Sequence, residues 1–296
     1  MVHDLSVTRE IAPGAEVSAD ASIGPFCVIG PEVKIRPGTV LAQRVTVIGR
    51  TVLGRDNDIA PGCVLGAPPQ DLKYRGRPTW LIVGDRNVFR ANVTAHVGTE
   101  AGGYLTRIGD DNVLAGGAHV AHDCYVDDRT RLGVCVMLAG HVRVETGAVV
   151  GDYTGAHHFT TIGAYARVEP RTPVRRDVPP YTIFSSLGYY NAPTAFRGVH
   201  EQGLAAAGLS DADCQAVRQA VRHLFQDEQA LAVKLEEMSA APDPPQPVAE
   251  LLAFCRRVLA GTFGRCREAF RGRMPPEALC HLPPEAMAEI EGNPPR

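Results

Sequence analysis

The segment HVAHDC, residues 119–124, places two histidines, an aspartate and a cysteine within six positions. Imidazole is the usual general base near neutral pH, and a neighbouring carboxylate can fix which ring nitrogen carries the proton. His122 and Asp123 are therefore a candidate base and its supporting carboxylate. Gly140 precedes His141, and a glycine leaves its backbone N–H open to a developing oxyanion. These residue types predict general-base catalysis with a backbone oxyanion donor.

A six-residue period must position these side chains. Apolar residues recur at Val17, Ile23, Ile29, Ile35, Leu41, Val47, Leu53, Ile59 and Leu65. The period resumes at Val83, Phe89 and Ala95, and it then runs through every sixth residue from Ile108 to Val174. A period of six fits neither an α-helix nor a lone strand. It predicts a left-handed parallel β-helix of hexapeptide repeats, in which glycine or another small residue turns each corner.

Three hexads make one coil, so the hexads that begin at Val120, Leu138 and Ala156 should stack with a spacing of about 4.8 Å. Their polar residues would form a ladder along one edge: His119, His122, Asp123, Gly140, His141, His157 and His158. Any one of these histidines taken alone is more simply a surface or corner residue. Adjacent strand residues point to opposite faces. Whether Asp123 orients His122 or a different histidine therefore stays open.

The period also divides the chain. We expect a β-helix domain at residues 1–180, with two loops inserted in it at 67–80 and 98–106. A C-terminal α-helical domain should follow at 181–264, and then an extended tail at 265–296. Within the helical domain, apolar residues follow helical spacing over 210–238, after Ser210 as an N-cap, and a second helix is expected over Val248 to Leu259. Insertions into a rigid solenoid commonly carry binding residues, which makes both loops candidates for substrate contacts.

Composition narrows the classes of partner. A net charge of −3 gives no electrostatic reason for nucleic acid or an anionic membrane to be the main partner. No long apolar run predicts membrane insertion, so we expect a cytoplasmic protein. The eight cysteines contain no CxxC pair, which argues against a zinc ribbon or a redox dithiol.

Six stretches resemble a known family: IGPFCVIGPEVKIRP (23–37), QDLKYRGRPT (70–79), HVGT (96–99), HVAHDC (119–124), LAGHV (138–142) and DVPPY (177–181). They resemble the UDP-N-acetylglucosamine O-acyltransferases. These enzymes move a 3-hydroxyacyl group from acyl carrier protein to the sugar 3-hydroxyl in the first step of lipid A biosynthesis. The resemblance extends over roughly residues 10–260.

The resemblance implies a role for each matching residue. His122 corresponds to the general base, Asp123 to its support and Gly140 to the oxyanion donor. Substrate contacts are implied for Gln70, Asp71, Lys73, His96, His119, His141, His157, His158 and His200. The resemblance also implies a homotrimer, a nucleotide-sugar acceptor and a donor carried on the phosphopantetheine of acyl carrier protein, with no metal and no other cofactor. Basic residues that could meet the carrier protein are Arg218, Arg222, Arg256 and Arg257.

Several positions depart from the family pattern. His158 replaces a glutamine, His200 replaces an asparagine, and Ala206 and Ala207 replace paired basic residues that contact the nucleotide. An alanine cannot replace a bidentate phosphate contact. Glu169 and Pro170 lie where glycines line the acyl tunnel of the family, which predicts a shorter acyl chain.

Three hypotheses stay open. In the first, the chain is an acyltransferase whose acceptor is UDP-N-acetylglucosamine or a relative such as its 3-amino analogue. In the second, it is a trimeric binder without catalytic activity. In the third, it is a metal-dependent hydratase of the γ-carbonic anhydrase type, with His119, His122 and His141 as zinc ligands.

Overall fold

A computed structural model describes residues 8–188, 193–226, 229–239 and 243–261. In these residues, short strands form three sheets, and the strands are numbered in chain order. The first sheet contains β1 (Glu10–Ile11), β4 (Val28–Ile29), β7 (Thr46–Val47), β10 (Val64–Ala67), β13 (Thr94–His96), β16 (His119–Val120), β19 (Met137–Leu138) and β22 (Gly155–Ala156). The second contains β2 (Glu16–Val17), β5 (Lys34–Ile35), β8 (Arg50–Leu53), β11 (Trp80–Val83), β14 (Leu105–Ile108), β17 (Tyr125–Val126), β20 (Arg143–Val144) and β23 (Thr161–Ile162). The third contains β3 (Ser22–Ile23), β6 (Val40–Leu41), β9 (Asp58–Ile59), β12 (Val88–Phe89), β15 (Val113–Leu114), β18 (Arg131–Leu132), β21 (Val149–Val150), β24 (Arg167–Val168), β25 (Thr182–Ser186) and β26 (Thr194–Val199).

From β1 to β24, successive strands go to successive sheets, so each coil of the chain visits all three faces of a prism. The pairs are parallel, except that β26 is antiparallel to β25. The inward residues of the six-residue period form one continuous buried column. The left-handed parallel β-helix predicted from the period is confirmed. Burial of this column is the main source of stability, because each coil alone exposes its aliphatic face.

The corners of the coils differ from the expectation. The left-handed backbone conformation occurs at the third residue after the inward residue, for example at Phe26 (φ 59°) and Arg44 (φ 59°). Of the glycines that directly follow an inward residue, Gly66 (φ 82°) is left-handed, whereas Gly24, Gly30 and Gly54 are not. Gly24 serves a different purpose. A Cβ on Gly24 would lie 2.7 Å from the carbonyl carbon of Ala42 in the next coil. Glycine is therefore needed there for close approach of stacked backbones.

The two loops leave the prism at neighbouring coils. The loop at residues 67–80 joins β10 to β11, and the loop at 98–106 joins β13 to β14. The second loop contains a short 3₁₀ helix at Glu100–Gly102. Both loops therefore begin at the end of a strand of the first sheet, the sheet that carries β16 and His119.

Four helices follow the strands: α1 (Glu201–Ala206), α2 (Asp211–Phe225), α3 (Leu231–Ser239) and α4 (Gln246–Leu259). The Ser210 hydroxyl caps α2 by accepting from the Asp213 N–H at 3.2 Å. The helical pattern over 210–238 is divided between two helices, α2 and α3. The strands β25 and β26 lie beyond residue 180, and the tail at 265–296 lies outside the described residues. In the described part of the chain, no helix is both long and apolar enough to cross a bilayer.

Candidate active site

His122 and Asp123 form a hydrogen-bonded pair at the end of β16. The Nδ1 of His122 lies 2.7 Å from the Oδ2 of Asp123, and both residues are buried. Strand alternation left open whether Asp123 orients His122 or another histidine, and the structure pairs Asp123 with His122. Asp123 has a left-handed backbone (φ 61°), so the chain turns at this residue and the carboxylate returns toward the imidazole beside it.

The loop at 98–106 encloses the Asp123 carboxylate. Thr99 donates to it twice, from its backbone N–H to Oδ1 at 2.7 Å and from its hydroxyl to Oδ2 at 2.6 Å. A Cβ at Gly102 would collide with the same carboxylate, so a glycine is required where the loop crosses it. The six-residue period indicates this loop but gives no sign of Thr99 or Gly102. Neither residue type signals chemistry until its distance to Asp123 is known.

These contacts define the state of the imidazole. Both donors of Thr99 are already used on the Asp123 carboxylate. An ionised carboxylate only accepts, so the Nδ1 of His122 must carry the proton that the Asp123 Oδ2 receives. The Nε2 of the neutral ring is then left as the basic nitrogen. The pair has the form that a general base needs.

Gly140 lies one coil below, against the imidazole of His122. A Cβ on Gly140 would lie 2.5 Å from Cε1 and 2.7 Å from Nε2 of that ring. Any side chain at this position would therefore displace the base. Within the described residues, no group accepts a hydrogen bond from the Gly140 N–H. A backbone donor and a basic nitrogen thus lie side by side, as acyl transfer requires.

His141 and Phe159 continue the edge below Asp123. The Nε2 of His141 is 3.7 Å from the Asp123 Oδ2, and its ring meets the His122 ring edge-to-face at 5.3 Å. Phe159 stacks on His141 at 4.2 Å with nearly parallel planes. This stacking fixes the orientation of the His141 ring. Phe159 was not among the predicted site residues, although it lies eighteen residues after His141 in the same corner position.

His119 and His96 flank the pair on the opposite side. The Nδ1 of His119 is 2.8 Å from the Thr94 hydroxyl. The rings of His96 and His119 lie edge-to-face, with their centroids 5.2 Å apart. Burial, reinforced by the nearby His96 and His122, lowers the pKa of His119 to about 4. His119 is therefore neutral at neutral pH. It can donate or accept a hydrogen bond to substrate without adding a positive charge beside the base.

His157 and His158 follow Ala156, and their rings lie 3.9 Å apart. His157 lines a groove of about 960 Å³ with largely apolar neighbours. The other lining residues are Cys135, Met137, Tyr153, Thr154, Gly155, Ala156, Pro170, Arg171, Pro173, Val174, Arg175, Ser186 and Gly188.

The predicted stacking of the three hexads is confirmed, because Val120 pairs with Leu138 and Leu138 with Ala156.

The loop at 67–80 carries the predicted contacts Gln70, Asp71 and Lys73. Gln70 and Lys73 are exposed, and the Asp71 Oδ1 accepts from the Lys73 N–H at 2.9 Å. The loop is attached to the ladder where the Nδ1 of His96 donates to the Pro68 carbonyl at 2.7 Å. The three residues are therefore on a segment that begins beside the histidines.

His200 lies apart from the ladder. It precedes α1, its Nδ1 donates to the Tyr165 carbonyl at 2.7 Å, and only 5% of the residue is exposed. A Cβ on Gly203 would lie 2.5 Å from the same ring nitrogen. The contacts of His200 that the structure describes thus join helix α1 to the end of the prism.

The ligand atoms of His122, Asp123 and His141 lie within 4.8 Å of one another, which is close enough for one metal ion. This set includes Asp123 in place of the His119 expected for a hydratase. These three residues fit a metal ion poorly as ligands. Both Asp123 oxygens already accept hydrogen bonds from Thr99, and one of them also accepts a hydrogen bond from His122. A metal would have to displace the bond that orients the base.

The sequence and the fold of this chain are similar to those of known proteins. The sequence model of the family described as Udp N-acetylglucosamine O-acyltransferase, Domain 2, matches residues 177–262. The solved structure of LpxA from Acinetobacter baumannii is 33% identical, covers 87% of this chain and 96% of its own, and superposes with a TM-score of 0.79.

Two further solved structures are similar. LpxA from Moraxella catarrhalis is 31% identical over 84% of this chain and 95% of its own, with a TM-score of 0.79. The UDP-N-acetylglucosamine acyltransferase from Francisella novicida is 27% identical over 84% of this chain and 89% of its own, also with a TM-score of 0.79. With this similarity over nearly the whole β-helix and its helices, the chain belongs to the UDP-N-acetylglucosamine O-acyltransferase family, the LpxA-like hexapeptide acyltransferases of lipid A synthesis.

Proposed function

We propose that this protein transfers a 3-hydroxyacyl group from acyl carrier protein to the 3-hydroxyl of UDP-N-acetylglucosamine, with His122 as the general base. The observation that carries the proposal is the oriented pair, in which the His122 Nδ1 donates to the Asp123 Oδ2 at 2.7 Å beside Gly140. A thioester is already activated. The protein then needs only a base, an oxyanion donor and a means of aligning the two substrates.

In the proposed reaction, His122 Nε2 removes the proton of the sugar hydroxyl as its oxygen attacks the thioester carbonyl. The resulting oxyanion accepts a hydrogen bond from the Gly140 N–H. The carbonyl then re-forms, the C–S bond breaks, and the phosphopantetheine thiolate takes the proton from the His122 imidazolium. The positive ring is stabilised between these steps by the Asp123 carboxylate. A positioned base supplies about 10² to 10⁴ in rate, and one oxyanion donor about 10² to 10³.

The groove beside His157 is the proposed location of the acyl chain. Its apolar side chains offer the surface that an alkyl chain would bury, at about 0.8 kcal/mol for each CH₂. Pro170 and Pro173 both line it and narrow it relative to glycine. We therefore expect a preference for short acyl chains.

Carrier-protein docking is proposed at the helical domain. Three of the four predicted arginines already contact other groups: Arg218 binds Glu201 at 2.7 Å, Arg256 donates to the Ser239 hydroxyl, and Arg257 lies 3.9 Å from Glu145. The exposed Arg222 lines a pocket of about 400 Å³ with Arg197 and Arg218. Glu201 also lines this pocket and pairs with Arg218, so Arg197 and Arg222 supply the net positive charge that we propose meets an acidic carrier protein. We further propose a cytoplasmic homotrimer in which neighbouring chains complete each site.

The test is an acyl-transfer assay with the purified protein. Carrier protein loaded with 3-hydroxyacyl chains of different lengths would be incubated with UDP-N-acetylglucosamine or with its 3-amino analogue, and the products identified by mass spectrometry. Ester formed on the hydroxyl sugar supports the proposal. Amide formed only on the amino analogue would reassign the acceptor. No product with any acceptor would favour a trimeric binder without catalytic activity.

The hydratase alternative has one observation in its favour, the convergence of His122, Asp123 and His141. Metal analysis of the protein purified without chelators, together with a CO₂ hydration assay, separates the two functions. Stoichiometric zinc or iron with hydratase activity would overturn the acyltransferase proposal. Acyl transfer that persists after chelator treatment would support it.

A further inference from the structure

We propose that the loop at 98–106 is a positioning element in which Thr99 aims the catalytic base and Glu100 fixes the acceptor-binding loop. The inference rests on the proposed function and extends it to two residues that have no assigned role. It is based on the hydrogen bonds of two adjacent residues. Thr99 is bonded to Asp123, and Glu100 is bonded to the loop at 67–80.

Thr99 controls the Asp123 carboxylate. Only 1% of Thr99 is exposed, and both of its donors are used on Asp123, one on each oxygen. The Asp123 N–H donates in turn to the Thr106 hydroxyl oxygen at 2.8 Å, at the other end of the loop. Asp123 is therefore held from both ends of one loop, its carboxylate by Thr99 and its backbone by Thr106. Without the Thr99 hydroxyl, Oδ2 would keep only the bond from His122 and the carboxylate could rotate.

Glu100 is bonded in the opposite direction, to the loop at 67–80. Its Oε1 accepts from the Arg75 N–H at 3.1 Å and from the Arg77 N–H at 3.0 Å. Two backbone donors on one carboxylate oxygen fix the path of the returning half of that loop. The outgoing half carries Gln70, Asp71 and Lys73, the proposed acceptor contacts. Thr99 and Glu100 therefore connect the base and the acceptor loop through one peptide bond.

This arrangement predicts a separation of kinetic effects. Thr99 acts through Asp123 on the chemical step, so its loss should lower kcat with little change in KM for the nucleotide sugar. Glu100 acts through the loop, so its loss should raise that KM and change kcat less. A merely structural role would instead lower the amount of folded protein and leave both constants of the folded fraction unchanged.

The first experiment compares Thr99→Val, Thr99→Ser and Thr39→Val. Thr39 is a fully buried threonine whose hydroxyl donates to the Gly54 carbonyl at 2.7 Å, so Thr39→Val is a matched control for loss of a buried hydroxyl. We expect Thr99→Val to lower kcat by about tenfold or more, the effect of one hydrogen bond to a charged group. Thr99→Ser should retain most activity, and Thr39→Val should change only stability. Equal kcat in wild type and Thr99→Val would overturn the role of Thr99.

The second experiment compares Glu100→Ala with Glu100→Gln. The glutamine oxygen can still accept from Arg75 and Arg77, so this variant should stay close to wild type. The alanine variant should raise KM for the nucleotide sugar about tenfold. An unchanged KM in Glu100→Ala would overturn the role of Glu100.

A third measurement is independent of turnover. ¹⁵N NMR of labelled histidine reports which nitrogen of His122 carries the proton. Wild type should show the Nδ1–H form, and Thr99→Val should gain the Nε2–H form that predominates in free imidazole side chains. If wild type shows the Nδ1–H form but does not transfer acyl groups, the positioning role stands and the proposed function fails. An unchanged tautomer in Thr99→Val would contradict the positioning role whatever the activity.

Discussion

At the scale of single residues, the site depends on the hydrogen bonds that the Asp123 carboxylate accepts. Asp123 is 1% exposed and receives hydrogen bonds from His122 and from both donors of Thr99. A buried charge needs such partners to offset the hydration that it loses. Asp123 can therefore stabilise the imidazolium that forms on His122 through a hydrogen bond that is already in place.

Substitution His122→Ala should abolish transfer while the protein stays folded. The imidazole lies outside the aliphatic column, so its removal leaves the core unchanged, whereas the loss of the base costs about 10² to 10⁴ in rate. Initial rates and circular dichroism melting of wild type and variant provide the check. Near-normal activity in the variant would remove His122 from the proposed role.

Gly140→Ala tests the space beside the base. The added Cβ would lie 2.5 Å from the His122 ring, so the imidazole must move away from the reacting atoms. We expect kcat to fall about a hundredfold, comparable with the loss of an oxyanion donor. Gly116→Ala is a control, because a Cβ there would meet only the Ala91 carbonyl oxygen, at 3.5 Å, which is an ordinary van der Waals contact. Full activity in Gly140→Ala would show that the ring has room to move without loss of function.

At the scale of elements, Glu145 connects the end of β20 to the turn at Ala164 and to helix α4. Its Oε2 accepts from the Ala164 N–H at 3.0 Å, and its Oε1 lies 3.9 Å from Arg257 on α4. Burial raises the pKa of Glu145 to about 7, opposed by the Ala164 N–H and Arg257. The carboxylate therefore favours protonation in the folded protein more than in the unfolded chain.

A raised folded-state pKa gives this residue a definite pH dependence. The stabilising contribution of protonated Glu145 is complete below its ordinary pKa and is lost as the pH rises through about 7. Glu145→Gln keeps the neutral form at every pH. We expect its free energy of unfolding to match wild type near pH 4.5 and to exceed it at pH 8, measured by urea denaturation. Lower stability than wild type at pH 8 would mean that the ion pair with Arg257 dominates.

The elements were far more predictable than the contacts between them. The period of six determined which residues point inward, which hexads stack and where both loops leave the prism, since each follows from counting along the chain. The contact of Asp123 with His122 was not predictable by strand alternation, because the turn at φ 61° occurs between them. Thr99 was not predictable either, since a loop conformation decides which donors reach the carboxylate.

At the scale of the whole molecule, the helices close one end of the prism around a second cavity. This cavity of about 460 Å³ is acidic and aromatic. It is lined by Asp127, Glu145, Thr146, Ala164, Tyr165, Tyr181, Ala207, Leu209, Gln246, Pro247 and Glu250. Ala207 faces this space, whereas Ala206 is exposed on α1. The two alanines expected near the nucleotide therefore have different surroundings.

Ala206→Arg should tighten binding of UDP-N-acetylglucosamine about tenfold, because an exposed guanidinium can reach a phosphate. An arginine at position 207 would instead face Glu145 and Glu250, so we expect no such gain from Ala207→Arg. Isothermal titration calorimetry compares both with Ala205→Arg, an exposed neighbour that adds the same charge. Equal tightening by Ala205→Arg would show a nonspecific charge effect.

The corners of the coils accept ordinary side chains in the left-handed conformation, at Asp123, His141 and Phe159 (φ 61°, 65° and 66°) among others. Every turn of the prism consequently offers an outward position whose chemistry is independent of the buried column. Catalytic groups can be exchanged at such an edge without repacking the interior. The number of coils that precede the edge can likewise change by whole turns while the reactive groups keep their mutual spacing.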